Sequence, residues 1–353
     1  MGTRRLNKTR RVNRRSPCPI CGRPDWCLVA KSGAYAICMR VPSQRAARMA
    51  GGGWVHGLGA APAIDLTVGP APVSATHEAG PSRRHEVYRA LLRRLALLRR
   101  HREQLTARGL SGDEIARRGY ASLPLGRRAA ICRDLARSVE LLGVPGFHVK
   151  VLHRRRYWTL AGSPGLLVPV RDSQNRIVAL RIRPDDPVRA KYVWLSSAGR
   201  ECGVSSGAPC HVARPPGPVR DERFFITEGE LKADIASDRL GAIVISVPGV
   251  GSWRSGAETV GRLAGEGVGV VVAFDMDAHS NPHVAASERE LIAALHRAGR
   301  DVYRAGWPKE FKGLDDALVG GAEIVVRPVS VLVHLVPHGR RASVPARVVT
   351  VGG

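Results

Sequence analysis

The chain has 353 residues, more than one hydrophobic core comfortably serves, so its length predicts two or three domains. Its 55 Lys and Arg residues against 30 Asp and Glu give a net charge of +25, which exceeds what solubility requires and indicates a polyanionic partner such as nucleic acid. No stretch reaches the ~18 apolar residues of a membrane span, so a membrane-spanning protein is excluded and a cytoplasmic protein with reduced cysteines is expected.

Residues 1–57 combine a basic arm with a cysteine cluster. The first 15 residues carry seven basic side chains and no acid, and no apolar segment follows Arg4–Arg5, so an arm that contacts phosphates is favoured over an export signal. The spacing C-x2-C-x5-C-x10-C then predicts a structural Zn²⁺ site of four thiolates, since a reducing compartment disfavours disulfides. The ligands are Cys18, Cys21, Cys27 and Cys38, with His56 as an alternative to Cys27.

Residues 58–82 are rich in Ala, Pro and Gly and predict a linker. In residues 83–148 the segment EVYRALLRRLALLRRHREQL has leucines at helical spacing and arginines on the other face, which predicts a helical region. Ser111, with Glu114 three residues later, predicts a capping box. For the arginine-rich face, DNA contact and a solvated surface remain equally open.

Residues 149–220 form a basic segment in which strands dominate, with a hairpin turn expected at residues 173–175. Aromatic residues lie among its cations, and they either stack on template bases or, as favoured for Trp158 and Trp194, belong to the core of the small sheet. The candidate nucleic-acid-binding residues are Arg154, Arg155, Arg156, Arg181, Arg183 and Lys191.

Residues 221–325 alternate strands with helices, which predicts a mainly parallel sheet flanked by helices and an α/β fold. The strands are FFITE, AIVISV, VGVVVAF and DVYRAGW, with helices between them. Residues 326–353 show apolar alternation broken by Pro and Gly, so they either add a strand or form a C-terminal tail.

Carboxylates follow these strands where each strand ends. Glu228 follows FFIT directly, and Asp275 and Asp277 follow VVVAF, where the i, i+2 spacing points both to one side. Asp315 and Asp316 open a further helix in KGLDDAL. Ligands bind beyond the carboxyl ends of strands in such sheets, and oxygen-only donors suit Mg²⁺ or Mn²⁺. An Asp-x-Asp pair alone is a weak signal, because Asp275 also fits a helix N-cap.

The motifs TEGELKAD, AFDMDA and KGLDDAL, in this order, resemble a TOPRIM domain, the catalytic fold shared by bacterial replicative primases, topoisomerases and some nucleases. The resemblance covers residues 221–320 and implies acid–base work for Glu228 and metal binding for the aspartates. Lys232 departs from it, since the replicative primases tend to carry an aspartate there and Asp234 comes two residues later. Lys232 therefore either faces a phosphate, which we favour, and is catalytic, or is solvated.

The order of zinc ribbon, basic strand-rich segment and TOPRIM domain resembles primases of bacteria, phages and mobile elements. This implies synthesis of short primers on single-stranded DNA from nucleoside triphosphates, with a separate replicative helicase because no GxxxxGK[ST] motif occurs. The alternatives are a TOPRIM nuclease and a non-catalytic replication DNA-binding protein. A type IA topoisomerase is disfavoured, since it needs a nucleophilic tyrosine on a large gate domain.

Overall fold

The computed structural model describes residues 9–41, 43, 47, 53–58, 77–153, 155–186, 190–265, 267–275, 281–329 and 347–349. Several predicted features lie outside the described residues: most of the basic arm, residues 59–76 of the linker, Arg154, Asp277 and most of the C-terminal segment. No helix in the described part of the chain is long and apolar enough to cross a membrane.

The first unit, which we call the four-cysteine unit, comprises the described residues between Thr9 and Leu58. Its strands form one antiparallel sheet in chain order: β1 (Thr9–Arg11), β2 (Leu28–Ala30), β3 (Tyr35–Cys38) and β4 (Trp54–Gly57). Its core contains only a few small apolar side chains besides three of the cysteines. So small a core stabilises a fold poorly without a metal or a disulfide.

The second unit, the middle region, has four helices, a four-stranded sheet and a hairpin. The helices are α1 (Pro81–Arg94), α2 (Arg99–Thr106), α3 (Gly112–Arg118) and α4 (Arg128–Leu135). The strands are β5 (Ala121–Leu123), β6 (Phe147–Leu152), β7 (Arg155–Leu160), β8 (Gly165–Arg171), β9 (Ile177–Pro184) and β10 (Val193–Trp194). The sheet order is β10-β9-β8-β5, all antiparallel, and β6 pairs with β7.

Two local predictions in the middle region are confirmed: the capping box at Ser111 and the hairpin turn at residues 173–175. Ser111 and Glu114 form the capping box that begins α3. The β8–β9 hairpin turns over Asp172–Asn175, where Asp172 Oδ1 accepts from the N–H of Gln174 at 2.9 Å and Asn175 has a φ of 61°. Such side-chain-to-backbone bonds and left-handed asparagines are typical of tight turns.

The leucine-rich segment of residues 86–105, predicted to be helical, is interrupted at its centre, because the chain leaves the helix between α1 and α2. The backbone groups there pair with β5: the N–H of Leu98 donates to Ser122 Oγ at 2.8 Å, and the N–H of Ser122 donates to the carbonyl of Ala96 at 3.0 Å. Tertiary hydrogen bonds thus override helical periodicity. The segment VLHRRRYWTL, within the strand-rich region predicted for residues 149–220, spans the turn between β6 and β7.

The third unit is a seven-stranded sheet with helices on both faces, and the predicted α/β fold class is confirmed. Its strands are β11 (His211–Ala213), β12 (Asp221–Glu228), β13 (Ala242–Val247), β14 (Val270–Val272), β15 (Val302–Gly306), β16 (Ile324–Pro328) and β17 (Arg347–Val349). Its helices are α5 (Glu230–Leu240), α6 (Trp253–Leu263), α7 (Pro282–Arg297) and α8 (Leu314–Val319), with a 3-10 turn at Val250–Ser252.

The strand order is β11-β13-β12-β14-β15-β16-β17. The four central strands, β13, β12, β14 and β15, are parallel, and the outer strands are antiparallel. Strands β11, β16 and β17 extend the sheet beyond residues 221–325 on both sides. Successive side chains of β12 point to opposite faces of the sheet, and helices cover both faces. Ile226 faces a core that includes α6 and α7, and Phe225 faces a core that includes α5 and α8.

Helix α5 joins the middle region to the sheet. Leu231 and Ile235 of α5 share a buried cluster with middle-region side chains, among them Leu105 and Leu166. Asp234, on the same helix, is 2% exposed and contacts Arg118 at 2.8 Å and the hydroxyl of Tyr120 at 2.6 Å. Apolar packing and a buried charge network therefore hold the basic middle region against the helix that follows β12.

Candidate metal centre and active site

The four predicted cysteines come together in the four-cysteine unit, and their ligand sulfurs all lie within 4.8 Å of one another. The Sγ atoms of Cys21 and Cys27 are 3.7 Å apart, and those of Cys27 and Cys38 are 4.0 Å apart. A tetrahedral ion with Zn–S bonds of about 2.3 Å separates its sulfurs by about 3.8 Å. Gly22, at a φ of 67°, allows the tight turn after the first cysteine pair. The cluster fits a structural zinc ion.

Hydrogen-bond donors surround the sulfurs, while burial and the neighbouring Cys18 and Cys21 raise the pKa of Cys27 to about 12. The backbone N–H groups of Met39 and Val41 donate to sulfurs at 3.4 and 3.3 Å, and the Arg40 guanidinium lies 3.8 Å from Cys27 Sγ. Burial opposes ionisation of Cys21, but hydrogen bonds from the Arg23 N–H and neighbouring thiols lower its pKa to about 7. Donors of this kind orient metal ligands and balance their charge.

His56 does not join the cysteine cluster, so the structure favours Cys27 as the fourth ligand. The ring Nε2 of His56 donates to the carbonyl oxygen of Val41 at 3.0 Å. Cys27 is buried among the other three cysteines. From the sequence, Cys27 and His56 were both possible fourth ligands. The pairing of β3 with β4 sets the position of His56, away from the cysteine cluster.

Four of the predicted carboxylates lie at one edge of the third unit, and we call them the acid edge: Glu228, Asp275, Asp315 and Asp316. Glu228 ends β12, and Asp275 follows β14, which pairs with β12 through Ile226 and Val272. The chain leaves β12 through α5 on one face of the sheet and β14 through α7 on the other. Neighbouring parallel strands whose connections diverge in this way open a crevice at their carboxyl ends, where ligands bind in open α/β sheets.

Cations contact two members of the acid edge. The Lys232 ammonium donates to Asp275 Oδ1, and the Arg108 guanidinium donates to Asp315 Oδ2. The Lys232 side chain is 12% exposed, so it is not a solvated surface lysine. The two pairs adjoin at Gly313, where an added Cβ would lie 2.7 Å from Asp315 Oδ1 and 2.9 Å from Lys232 Nζ.

The acid edge fits a hard divalent ion in its donor chemistry. Its donors are carboxylate oxygens, as Mg²⁺ and Mn²⁺ prefer, and Asp315 Oδ1 is buried without a hydrogen-bond partner in the described part of the chain. Among the described residues, however, the four-cysteine cluster is the only group of three or more potential ligands gathered within 4.8 Å. The predicted ligand Asp277 lies outside the described residues.

Basic residues of the middle region face the acid edge. Partial burial and four neighbouring cations lower the pKa of Lys191. Together with Lys191 they form what we call the cation cluster: Arg108, Arg183, Lys191, Lys232 and Lys312. Arg108 and Lys232 of this cluster pair with Asp315 and Asp275, so the cluster lies directly beside the acid edge. Arg183 and Lys191 were predicted, whereas Arg108 and Lys312 were missed.

The other predicted nucleic-acid contacts have different surroundings. Arg181 is largely buried, with Glu230 at 3.4 Å and the ring of Trp194 4.4 Å from its guanidinium carbon. Arg155 is exposed, and Arg156 pairs with Glu201 at 2.5 Å. Arg181 therefore packs between the middle region and α5, while Arg155 and Arg156 lie on the β6–β7 hairpin.

Asp234 does not take over the role of the aspartate that the resemblance leads us to expect at position 232. Its carboxylate is buried against Arg118, Tyr120 and His211, whose Nε2 donates to Asp234 Oδ1 at 3.1 Å. Burial opposes ionisation, but the Arg118 guanidinium and His211 lower the pKa of Asp234 to about 2. Asp234 is thus a structural anion of the α5 interface.

No protein-family model matches the chain, and no curated protein matches its sequence. Solved structures of primases are similar to it. The zinc-binding and RNA polymerase domains of the Aquifex aeolicus primase are 13% identical, with a TM-score of 0.49 over 92% of this chain and 81% of that one. The RNA polymerase domain of Mycobacterium tuberculosis primase DnaG is 16% identical, with a TM-score of 0.49 over 68% and 82%. A DnaG primase catalytic domain bound to single-stranded DNA is 14% identical, with a TM-score of 0.48 over 68% and 74%. At these identities the likeness is one of fold alone.

Proposed function

We propose that this chain is a DNA primase-like nucleotidyltransferase of the TOPRIM type, which synthesises short primers on single-stranded DNA. The observation that carries the proposal is the acid edge at a topological switch point, directly beside the cation cluster. Phosphoryl transfer needs both: oxygen donors that hold divalent ions, and cations that hold the polyanionic substrates.

The chain's own residues have separate roles in this reaction. The aspartates of the acid edge, with Asp277, hold Mg²⁺ or Mn²⁺, and Glu228 does acid–base work at the reacting phosphate. A divalent ion held there would neutralise phosphate charge and would stabilise the attacking and leaving oxygens of an in-line displacement. Arg183, Lys191 and Lys312 attract the phosphates of the template and of the incoming nucleoside triphosphate.

The remaining parts of the molecule serve the template. The four cysteines would hold a zinc ion that stabilises a small basic module, and this module helps select the template site. The exposed arginines of the β6–β7 hairpin contact phosphates of the template. We place the chain in the cytoplasm, with a separate replicative helicase as partner and with a phage or mobile element as its origin.

Primer synthesis on single-stranded DNA tests the proposal. The purified, zinc-loaded chain is given labelled nucleoside triphosphates and Mg²⁺, beside the Asp275→Asn/Asp277→Asn protein and, as a matched control, Asp134→Asn, an exposed carboxylate on α4. Short template-dependent products are expected from the wild type and the control, and none from the double variant.

Two results would overturn the proposal. Degraded template without synthesis would make the acid edge a nuclease site that uses water as the nucleophile. DNA binding by both proteins without synthesis or degradation would make the chain a non-catalytic replication protein.

A further inference from the structure

Lys232 is an unusual side chain to find within the acid edge. It projects from the first turn of α5, four residues after Glu228, and its ammonium donates to Asp275 Oδ1. The side chains of Lys232 and Asp275 are only 12% and 20% exposed, so water weakens their attraction less than it would at the surface.

The position of the ammonium is central to the edge. Lys232 Nζ and Asp315 Oδ1 flank Gly313, so the lysine lies between the carboxylate that follows β14 and the carboxylate that opens α8. Arg108 already occupies the other oxygen of Asp315. Of the oxygens in these two pairs, one on Asp275 and one on Asp315 are therefore already engaged by side-chain cations.

A two-metal phosphoryl-transfer site places its ions about 3.5–4 Å apart, with carboxylates shared between them. An ammonium in direct contact with a shared carboxylate excludes a divalent ion from that place, both by volume and by charge repulsion. Lys232 also belongs to the cation cluster, so a second ion there would meet several positive charges.

We propose that the Lys232 ammonium takes the place of a second divalent cation at the acid edge, so that the chain's own carboxylates hold one divalent ion. The inference rests on the proposed function in assuming that the acid edge binds metal for phosphoryl transfer. Lys232 then supplies a fixed positive charge beside the bound ion, and any further ion must arrive with the nucleotide.

Metal stoichiometry tests this without a turnover assay. Zinc-loaded full chain is titrated with Mn²⁺ alone, and free Mn²⁺ is followed by electron paramagnetic resonance. The wild type should bind one Mn²⁺ that Mg²⁺ displaces and that Asp275→Asn abolishes. Lys232→Asp should bind two. Lys232→Gln should bind one, about tenfold more tightly, because the neighbouring positive charge is gone.

Two equivalents in the wild type, or one in a Lys232→Asp protein with the circular dichroism of the wild type, would overturn the proposal. Equal affinities of the wild type and Lys232→Gln would also contradict it. If Lys232→Asp does not fold, the wild-type number and the Lys232→Gln affinity still decide. One bound ion without primer synthesis refutes the proposed function alone, whereas two bound ions with primer synthesis refute this inference alone.

Discussion

The four-cysteine unit and the acid edge are both predicted metal sites, and they are prepared for metal in opposite ways. In the four-cysteine unit the four ligands already lie at the separation of a tetrahedral ion, within a core too small to hold itself together. At the acid edge the carboxylates project from strand ends and from α8 of a large, well-packed unit, and Lys232 and Arg108 neutralise two of them.

The four-cysteine unit needs its metal in order to fold, whereas the acid edge is folded before a metal binds. Removing the ion from the four-cysteine unit leaves several thiolates together and little apolar burial to oppose their repulsion. Removing an ion from the acid edge leaves a sheet whose two cores are unaffected. Loss of metal should therefore lower the stability of the four-cysteine unit, whereas at the acid edge it should lower activity.

The largest effect is expected from Cys38→Ser. Structural zinc sites contribute about 10–16 kcal/mol of binding free energy to folding, so losing a buried ligand should release the ion and unfold the four-cysteine unit. Bound zinc measured by atomic absorption should fall from one equivalent to well below one. Cys202→Ser, a cysteine outside the cluster, is the control and should keep full zinc. Full zinc in Cys38→Ser would refute the four-thiolate site.

The next effect, on activity, is expected from Asp275→Asn. Losing one metal-binding carboxylate should lower primer synthesis by about 10³-fold, comparable with removing one strong electrostatic group from an active site. Thermal stability should fall far less than in Cys38→Ser, since Asp275 lies outside the cores of the sheet and only its pair with Lys232 is lost. Nucleotide incorporation rates test the loss of activity, and melting curves test the change in stability, with Asp134→Asn as the control. A large loss of stability would erase the contrast with the four-cysteine unit.

A third variant, Asp234→Asn, should affect stability away from both metal sites. It leaves the buried Arg118 to pair with Asp238 alone among the described carboxylates, which should destabilise the fold by about 3 kcal/mol in urea unfolding. Because the pKa of Asp234 is lowered on folding to about 2, its stabilising effect is complete above about pH 5 and is lost as the pH falls towards 2. The Asp234→Asn variant should not show this loss of stability between pH 5 and pH 2. The same pH dependence in the variant and the wild type would contradict a structural role for the Asp234 carboxylate.

The smallest effect is expected from Lys191→Ala. If the cation cluster binds phosphates, removing one cation should weaken single-stranded DNA binding at every sequence and reduce the slope of log K against log salt by about 0.7. Fluorescence anisotropy at several salt concentrations measures it. Lys309→Ala, an exposed lysine that is not among the neighbours of Lys191, is the control. Equal slopes for both variants would remove Lys191 from the DNA path.

The sequence predicted the parts of the two sites that depend on local order. The cysteine spacing, the Glu228–Gly229 turn with its φ of 94°, and the aspartates after β14 are all encoded within short segments. A strand that ends in a carboxylate is recognisable from alternation and composition alone. The α/β class followed from the same alternation.

The rest depends on contacts between distant segments, and so no local pattern reports it. Arg108 lies in the turn after α2, in a segment rich in arginine, and only the fold brings it to Asp315, 207 positions away. Arg181 alternates with apolar residues like any exposed strand cation, yet its side chain is enclosed by Trp194 and Glu230. Lys312 carried one weak signal, since four of the seven lysines lie between residues 191 and 312.

Metal-directed cleavage tests the central claim most directly. Zinc-loaded protein is incubated with Fe²⁺, ascorbate and peroxide, and radicals formed at the bound ion cut the nearest backbone. The acid edge should give cuts close to Glu228, Asp275 and Asp315 that Mg²⁺ suppresses and Asp275→Asn abolishes. Cuts confined to the four-cysteine unit, or an unchanged pattern in Asp275→Asn, would contradict a divalent-ion site at the acid edge.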